Sequence, residues 1–294
     1  MLSLRDLEFL SSLARRKHFA RAAEDCGVSQ PAFSMRIQKI EEKLGIPVVK
    51  RGNRFQGFTT EGETLVRHSY KIVDALKIME QEFLSARGDI TGTLAIGVIP
   101  TSVIFAAKVV TTLQTEYPGI RVKLQTAPSL SILQGLENGQ YDVGITYAEG
   151  IANDLLRADA LYDETFLLLT PEHFCADGAE AITWADAAAL PLCLLEPGMQ
   201  NRAILDGVFR DLGLVPRVIT ESNGFLAAMV LAAQGLAATI VPQHLVDTFG
   251  RAGKTKALKL VEPTLEKQVC LISLDRDLSL PAVGALRDII NKQN

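Results

Sequence analysis

The chain has 294 residues, enough for two or three domains, with 48% hydrophobic and 22% charged residues, the composition of a soluble globular protein. Its net charge of −4 hides an asymmetry: residues 1–62 hold eleven Lys and Arg against seven Asp and Glu, about +4, and the remainder carries about −8, so the N-terminal part alone is suited to phosphate. No apolar run approaches the ~20 residues of a membrane span, MLSLRDLEFL lacks a signal-peptide layout, and the four cysteines (Cys26, Cys175, Cys193, Cys270) have neither zinc spacing nor a disulfide framework. The expectation is a cytoplasmic protein that touches no membrane, with Cys193 and Cys270 as core residues.

Leu4, Leu7, Leu10 and Leu13 recur at helical spacing and predict a first helix. A small-residue helix around Ala20, Ala22 and Ala23 ends at Gly27, and Ser29 caps the next, with Gln30 and Pro31 in its first turn. Phe33, Ile37, Ile40 and Leu44 form the buried stripe of that helix. Pro31, Ser34, Met35 and Gln38 lie opposite, a polar face of the kind the major groove admits. Lys50, Arg51 and Arg54 follow in a glycine-containing segment, Lys50–Phe58, that reads as a β-hairpin wing able to neutralise phosphates. An ordinary helical hairpin with a solvated basic loop is the plain alternative.

Thr60 reads as the cap of a long helix over about 61–86, with Ile72, Leu76, Met79 and Phe83 on a coiled-coil seam that Leu65 extends and Ser69 interrupts. A dimer seam is the favoured reading, with packing on the helix's own domain the alternative. From Thr91 strands and helices alternate: TLAIGVI, Phe105–Tyr117, RVKLQT, Ser129–Asn138, DVGIT, the pattern of a parallel sheet with helices on both faces. A second unit repeats it through CLLEPG, Asn201–Leu212, Arg217–Thr220, Gly224–Gln234 and ATIVP. Crossovers near 163–169 and 266–274 would join the units around a cleft. Hydroxyl residues at strand ends, and Gly198, Asn201 and Arg202 at a helix start, face that cleft in a way that suits a small carboxylate or other anion. Helix capping is the plain alternative for each hydroxyl, and a surface position for Arg202.

These residues resemble the LysR-type transcriptional regulators over essentially the whole chain. The head carries the resemblance most strongly: LRDLEFL, FARAAEDCGVSQPAFSMRIQKIEEKLG, the Arg51 wing and Thr59-Thr60-Glu61-Gly62-Glu63. GTLAIG, Tyr117-Pro118, the Ser129, Leu136, Gly139 and Asp142 set, and GLAATIVP fit the family's effector domain. The resemblance implies an α/β protein with an N-terminal winged helix-turn-helix (1–60), a linker dimerisation helix (61–88) and a two-subdomain effector domain (89–294) similar to periplasmic solute-binding proteins. Subdomain I would take about 91–163 and 268–294, and subdomain II about 164–267. It implies a near-palindromic double-stranded DNA operator, a homodimer and often a tetramer, contact with RNA polymerase, and a small-molecule co-inducer with no metal or other cofactor. Ser29, Gln30, Pro31, Ser34 and Gln38 map onto the recognition helix, and Arg51 and Arg54 onto the wing. Thr101, Ser102 and Ser129 match pocket positions, with Tyr147 and Phe166 as candidate walls. Met35 stands where the family carries Arg or His, and Arg36, beside the same face, is the candidate substitute.

Three other functions fit less well. A thiol or peroxide sensor of this fold would place a cysteine in the turn matching Leu195–Arg202, where this chain has Gln200. A transport-type solute-binding protein would not carry the basic head. An enzyme is not expected, because His18, His68, His173 and His244 are dispersed and no nucleophile elbow or phosphate loop occurs.

Overall fold

The computed structural model describes the chain except residues 51, 53, 86–89, 150, 152–154, 251–252, 276–279 and 294. The head begins with helix α1 (Leu4–Arg16), closed by a reciprocal capping box between Ser3 and Asp6. Helix α2 (Phe19–Asp25) follows, and Gly27 takes the left-handed φ of 64° that turns the chain into α3 (Gln30–Leu44). Ser29 Oγ accepts the Ala32 N–H, as its sequence position requires. Leu10, Leu13, Ala22, Phe33 and Ile40 fill the core, with Phe9 stacked on Phe33 at 4.7 Å. The buried stripe of α3 stops at Ile40; Leu44 lies past the edge of this small core and is exposed.

Both Val48 and Val49 N–H groups donate to Glu41 Oε1, at 2.7 and 3.0 Å, which pins the segment after α3. The wing is less regular than a hairpin: among the described residues its pairing is the Val49–Phe58 bridge, made by the bonds from Lys50 N to Gly57 O and from Thr59 N to Val48 O. Helix α4 (Thr60–Ser85) is capped one residue earlier than expected, by Thr59, whose Oγ1 accepts Gly62 N–H at 3.0 Å. A Cβ at Gly62 would lie 2.0 Å from the Val48 carbonyl oxygen, so the helix can approach the wing only with glycine there.

Helix α4 serves two bodies. Val66 and Tyr70 enter the head core, where Tyr70 Oη donates to Ser11 O, while Ile78 packs into the effector-domain core. Its other face leaves Ile72, Met79 and Phe83 at least half exposed. Ser69 Oγ bonds back to Leu65 O inside the head, so the seam's upstream heptad faces inward. The expected domain boundary at 87–89 lies outside the described residues.

Strands β1 (Gly92–Val98), β2 (Ile120–Thr126) and β3 (Val143–Tyr147) pair in parallel, with α5 (Val103–Glu116) and α6 (Ser129–Glu137) as crossovers. The long β4 (Leu156–Pro171) leaves this sheet for the second subdomain. It is followed by β5 (Ala181–Thr183), α7 (Trp184–Ala189), β6 (Leu192–Leu195), α8 (Gln200–Asp211), β7 (Val218–Ser222), α9 (Phe225–Ala233), β8 (Thr239–Pro242), α10 (Gln243–Phe249), β9 (Thr255–Val261), β10 (Glu266–Leu274) and α11 (Pro281–Gln293). The main sheet runs β2-β1-β3-β10-β4-β9-β5, with β8 also on β4. β10 pairs antiparallel with β3 and with the first part of β4, and the apolar second part of β4 pairs with β8 and β9. One bending strand therefore joins both cores, and the cleft opens beside the bend.

Candidate nucleic-acid interface and effector cleft

The exposed face of α3 carries Gln30, Pro31, Met35 and Gln38, with Ser29 at its start and Ser34 half-buried between them. A recess runs from Gln30, Ser34 and Gln38 to Lys50 and Arg54 across the wing, so two amides and two cations share one surface. Arg51 falls outside the described residues.

Arg36 does not belong to that surface. Its Nε donates to Asp6 Oδ1 at 2.6 Å, its Nη2 to Ser3 Oγ, and its guanidinium lies 5.7 Å over the Phe9 ring. Lys43 adds a second cation, 3.0 Å from Asp6 Oδ2. Burial alone would raise the Asp6 carboxyl; the Ser3 N–H, Lys43 and Arg36 outweigh it and hold the group well below the usual carboxylate range. Arg36 thus ties α3 to the start of α1, and its assignment as a stand-in base contact is corrected: a buried carboxylate claims the guanidinium before DNA can.

The cleft between the subdomains is nearly closed, with a free volume of about 10 Å³, and Thr101, Ser129, Tyr147 and Asn201 line it. Four helices begin at its edge: α5 through the 3₁₀ turn Pro100–Ser102, then α6, α8 and α9, and none has a side-chain cap on its first turn. Helix starts present unpaired N–H groups and positive partial charge, so four of them aimed at one space favour an anion. Ser129 Oγ and both polar atoms of the Asn201 amide are buried there with no hydrogen-bond partner. Buried polar groups left in this way need a ligand or water to satisfy them.

Other residues assigned to the cleft from sequence are placed elsewhere. Ser102 Oγ is fully buried and accepts from Tyr162 Oη at 3.0 Å. Gly198, at φ 95°, shapes the turn before α8 without lining the space. Arg202 donates to Asp206, to Leu195 O and to Glu221, fastening α8 to β6 and β7. Its role as an anion clamp is corrected, because two carboxylates and a carbonyl already hold it. Phe166 packs in the core.

Two residues that the sequence does not assign to the cleft stand behind its wall. Glu164, 1% exposed, accepts the Tyr147 hydroxyl on Oε2 at 2.5 Å, and His244 faces Glu164 Oε1 from α10. Burial pushes the Glu164 carboxyl up to about 7, against the lowering effect of the Tyr147 bond. The visible signal was alternation: Glu164 shares a strand face with the buried Phe166 and Leu168. Among the described residues no group of three or more His, Cys, Asp and Glu is placed to hold a metal ion, and no helix is long and apolar enough to cross a membrane. Cys193 and Cys270 are buried, and the turn before α8 has Gln200 at the helix start rather than a cysteine.

Residues 4–63 match the model of the bacterial regulatory helix-turn-helix protein, lysR family, and residues 87–294 match the LysR substrate binding domain. A hydrogen peroxide-inducible genes activator of Haemophilus influenzae is 32% identical over 207 residues, 70% of this chain; the chain spans 65% of that relative's length. The DNA-binding transcriptional dual regulator OxyR of Escherichia coli is 28% identical over 92% of this chain and 89% of its own. Among solved structures, full-length CbnR complexed with its target DNA superposes with a TM-score of 0.67 at 20% identity, covering 100% of both chains.

Proposed function

The chain belongs to the LysR family of DNA-binding transcriptional regulators, and on that premise we propose that it reads its operator through the exposed face of α3 and responds to a small anion held by helix N-termini in the inter-subdomain cleft. Residues 1–60 act as the DNA-binding head, 61–88 as the linker and 89–294 as the effector domain. Ser29, Gln30, Pro31, Ser34, Met35 and Gln38 face bases, while Lys50, Arg51 and Arg54 face phosphates. Gln30 and Gln38 have the paired donor and acceptor that adenine requires. Two heads joined through α4 present two such helices to a near-palindromic site, and a pair of dimers bends the DNA and contacts RNA polymerase. The CbnR structure, which holds its target DNA, supports the docking mode.

The observation that carries the effector reading is the meeting of four uncapped helix starts with the unpartnered Ser129 and Asn201 side chains. Among the described residues none that lines the cleft is a cation, so the anion is bound by dipoles and neutral donors, and a small one fits best. The protein carries no catalysis of its own and no metal, and a ligand rather than thiol oxidation sets its state. The test is a thermal-shift screen of the full chain against small carboxylates, amino acids and inorganic anions. A ligand at 100 times its Kd stabilises the fold by ~2.7 kcal/mol. Ser129→Ala should reduce that shift and leave operator affinity unchanged; a hit whose dose response Ser129→Ala does not alter would place the effector elsewhere.

A further inference from the structure

Glu164 is a buried carboxylate whose Oε1 has no hydrogen-bond partner, a state native proteins rarely leave unexplained. Oε2 accepts the Tyr147 hydroxyl at 2.5 Å, and Tyr147 Oη also lies 3.3 Å from Thr101 Oγ1 at the cleft wall. On the far side, His244 Nε2 is 2.5 Å from the Thr101 carbonyl oxygen. That carbonyl can only accept, so Nε2 carries the ring proton and Nδ1 of the neutral imidazole is a lone pair. This lone pair faces Glu164 Oε1 at 3.8 Å. The arrangement has a place for one proton between Oε1 and Nδ1, unfilled while the carboxylate is ionised. It also joins Thr101 and Tyr147 of subdomain I to His244 of subdomain II through a residue on the bending strand. Meanwhile the single Tyr147 proton points at Glu164, and the hydroxyl shows the cleft only lone pairs, the wrong face for an anion.

We propose that the cleft takes up one proton together with its anion, with Glu164 as the acceptor. The inference rests on the anionic-effector reading above. A solvent proton adds to Oε1, which donates to His244 Nδ1 as the two side chains draw together. Oε2 loses its charge and holds the Tyr147 hydroxyl more weakly, since charge-assisted bonds are about twice as strong as neutral ones. The hydroxyl then turns to donate to the anion. Glu164 and His244 are positioning residues, acting through Tyr147 and Thr101. The raised Glu164 carboxyl, at about 7, places the exchange in the neutral pH range. Other ionisable groups around it are Tyr162, whose hydroxyl donates to Ser102; Lys108 of α5, with Asp163 and Asp247 at the rim of the adjoining cavity; and Lys267, opposite Glu164 on β10 but paired with Glu149.

Sulfate is the probe, because it does not titrate in this range. Its binding to the full chain is measured calorimetrically from about pH 6 to 8.5, in buffers of different ionisation enthalpy. Wild type should take up close to one proton and lose about tenfold in affinity per pH unit above about 7. Glu164→Gln, whose neutral amide donates to His244 and holds the Tyr147 hydroxyl only weakly, as the protonated acid does, should bind with a flat profile near the wild-type acid-side affinity. Tyr147→Phe should bind weakly at every pH. Sulfate binding that Ser129→Ala abolishes, but whose wild-type pH profile is flat, overturns the proton coupling and leaves the anion site standing. Sulfate binding that Ser129→Ala leaves unchanged at all pH values overturns the anion reading itself, and the coupling with it.

Discussion

Arg36 and Arg54 show how identical side chains in one basic head part company by their neighbours. Arg54 is exposed beside the polar face of α3, whereas Arg36 is drawn onto the fully buried Asp6 and across Phe9. Removing Arg54 should weaken binding to all DNA sequences alike and lower the salt slope of log K by about 1, the signature of one lost phosphate contact. Removing Arg36 leaves Asp6 with Lys43 as its remaining ionic partner, so Arg36→Ala should destabilise the head by on the order of 1–3 kcal/mol while sequence preference and salt slope stay as they were. Paired salt titrations and melts of the two variants separate the roles; an unchanged melting temperature in Arg36→Ala with a shallower salt slope would return that arginine to the DNA surface. The sequence shows both arginines next to the right face, but the Asp6 that captures Arg36 lies 30 residues away. The same reason hid Glu164, whose partners Tyr147 and His244 come from different elements, and made Arg202 look free when Glu221 and the Leu195 carbonyl already held it.

Elements with strong local signals were legible. The capped helices α1 and α3, the apolar strands β6 and β8 and the βαβ order of subdomain I follow from caps, turn residues and periodicity. Short or mixed elements were not: α10 has seven residues, β5 has three, and β9 alternates lysines with apolar residues weakly enough to pass for a loop. Ile72, Met79 and Phe83 of the expected α4 seam are exposed, because a single helix cannot bury both a face toward its own chain and a second apolar stripe. Ile72→Glu or Met79→Glu should therefore weaken dimerisation at least ~10-fold each, from the loss of roughly 1.5–3 kcal/mol of side-chain burial, without altering monomer stability. Sedimentation equilibrium checks this, with Ile78→Ala as the contrast, since Ile78 is buried against the effector core and its truncation should lower the melting temperature instead. Dimers of unchanged strength in both glutamate variants would move the interface off α4.

At the scale of the molecule the question is how a cleft in the effector domain reaches the DNA-binding head, and α4 is the helix that packs into both cores. Lys77 on α4 lies 2.7 Å from Asp142, which is nearly buried at the start of β3 and also accepts the Ala95 N–H of β1. Asp142 thus ties the linker helix to the two strands, β1 and β3, whose carboxyl ends carry Thr101 and Tyr147 to the cleft. Further along the same helix Tyr70 packs over Gly139, where a Cβ would lie 3.4 Å from its ring. A ligand shifts the heads only by binding one arrangement better than another, and contacts of this kind would carry that difference along α4. Lys77→Ala leaves Asp142 its backbone bond and should cost little stability, about 1 kcal/mol, because the lysine is partly exposed and screened. It should leave operator affinity without ligand unchanged and cleft affinity unchanged, yet diminish the change in DNA bend angle that ligand produces. Bend angles from permuted-site gel shifts, with and without the ligand found in the thermal screen, measure this directly. A full wild-type bend change in Lys77→Ala would show that the signal leaves the effector domain by another path, with the surface between effector domains of neighbouring subunits the next place to substitute.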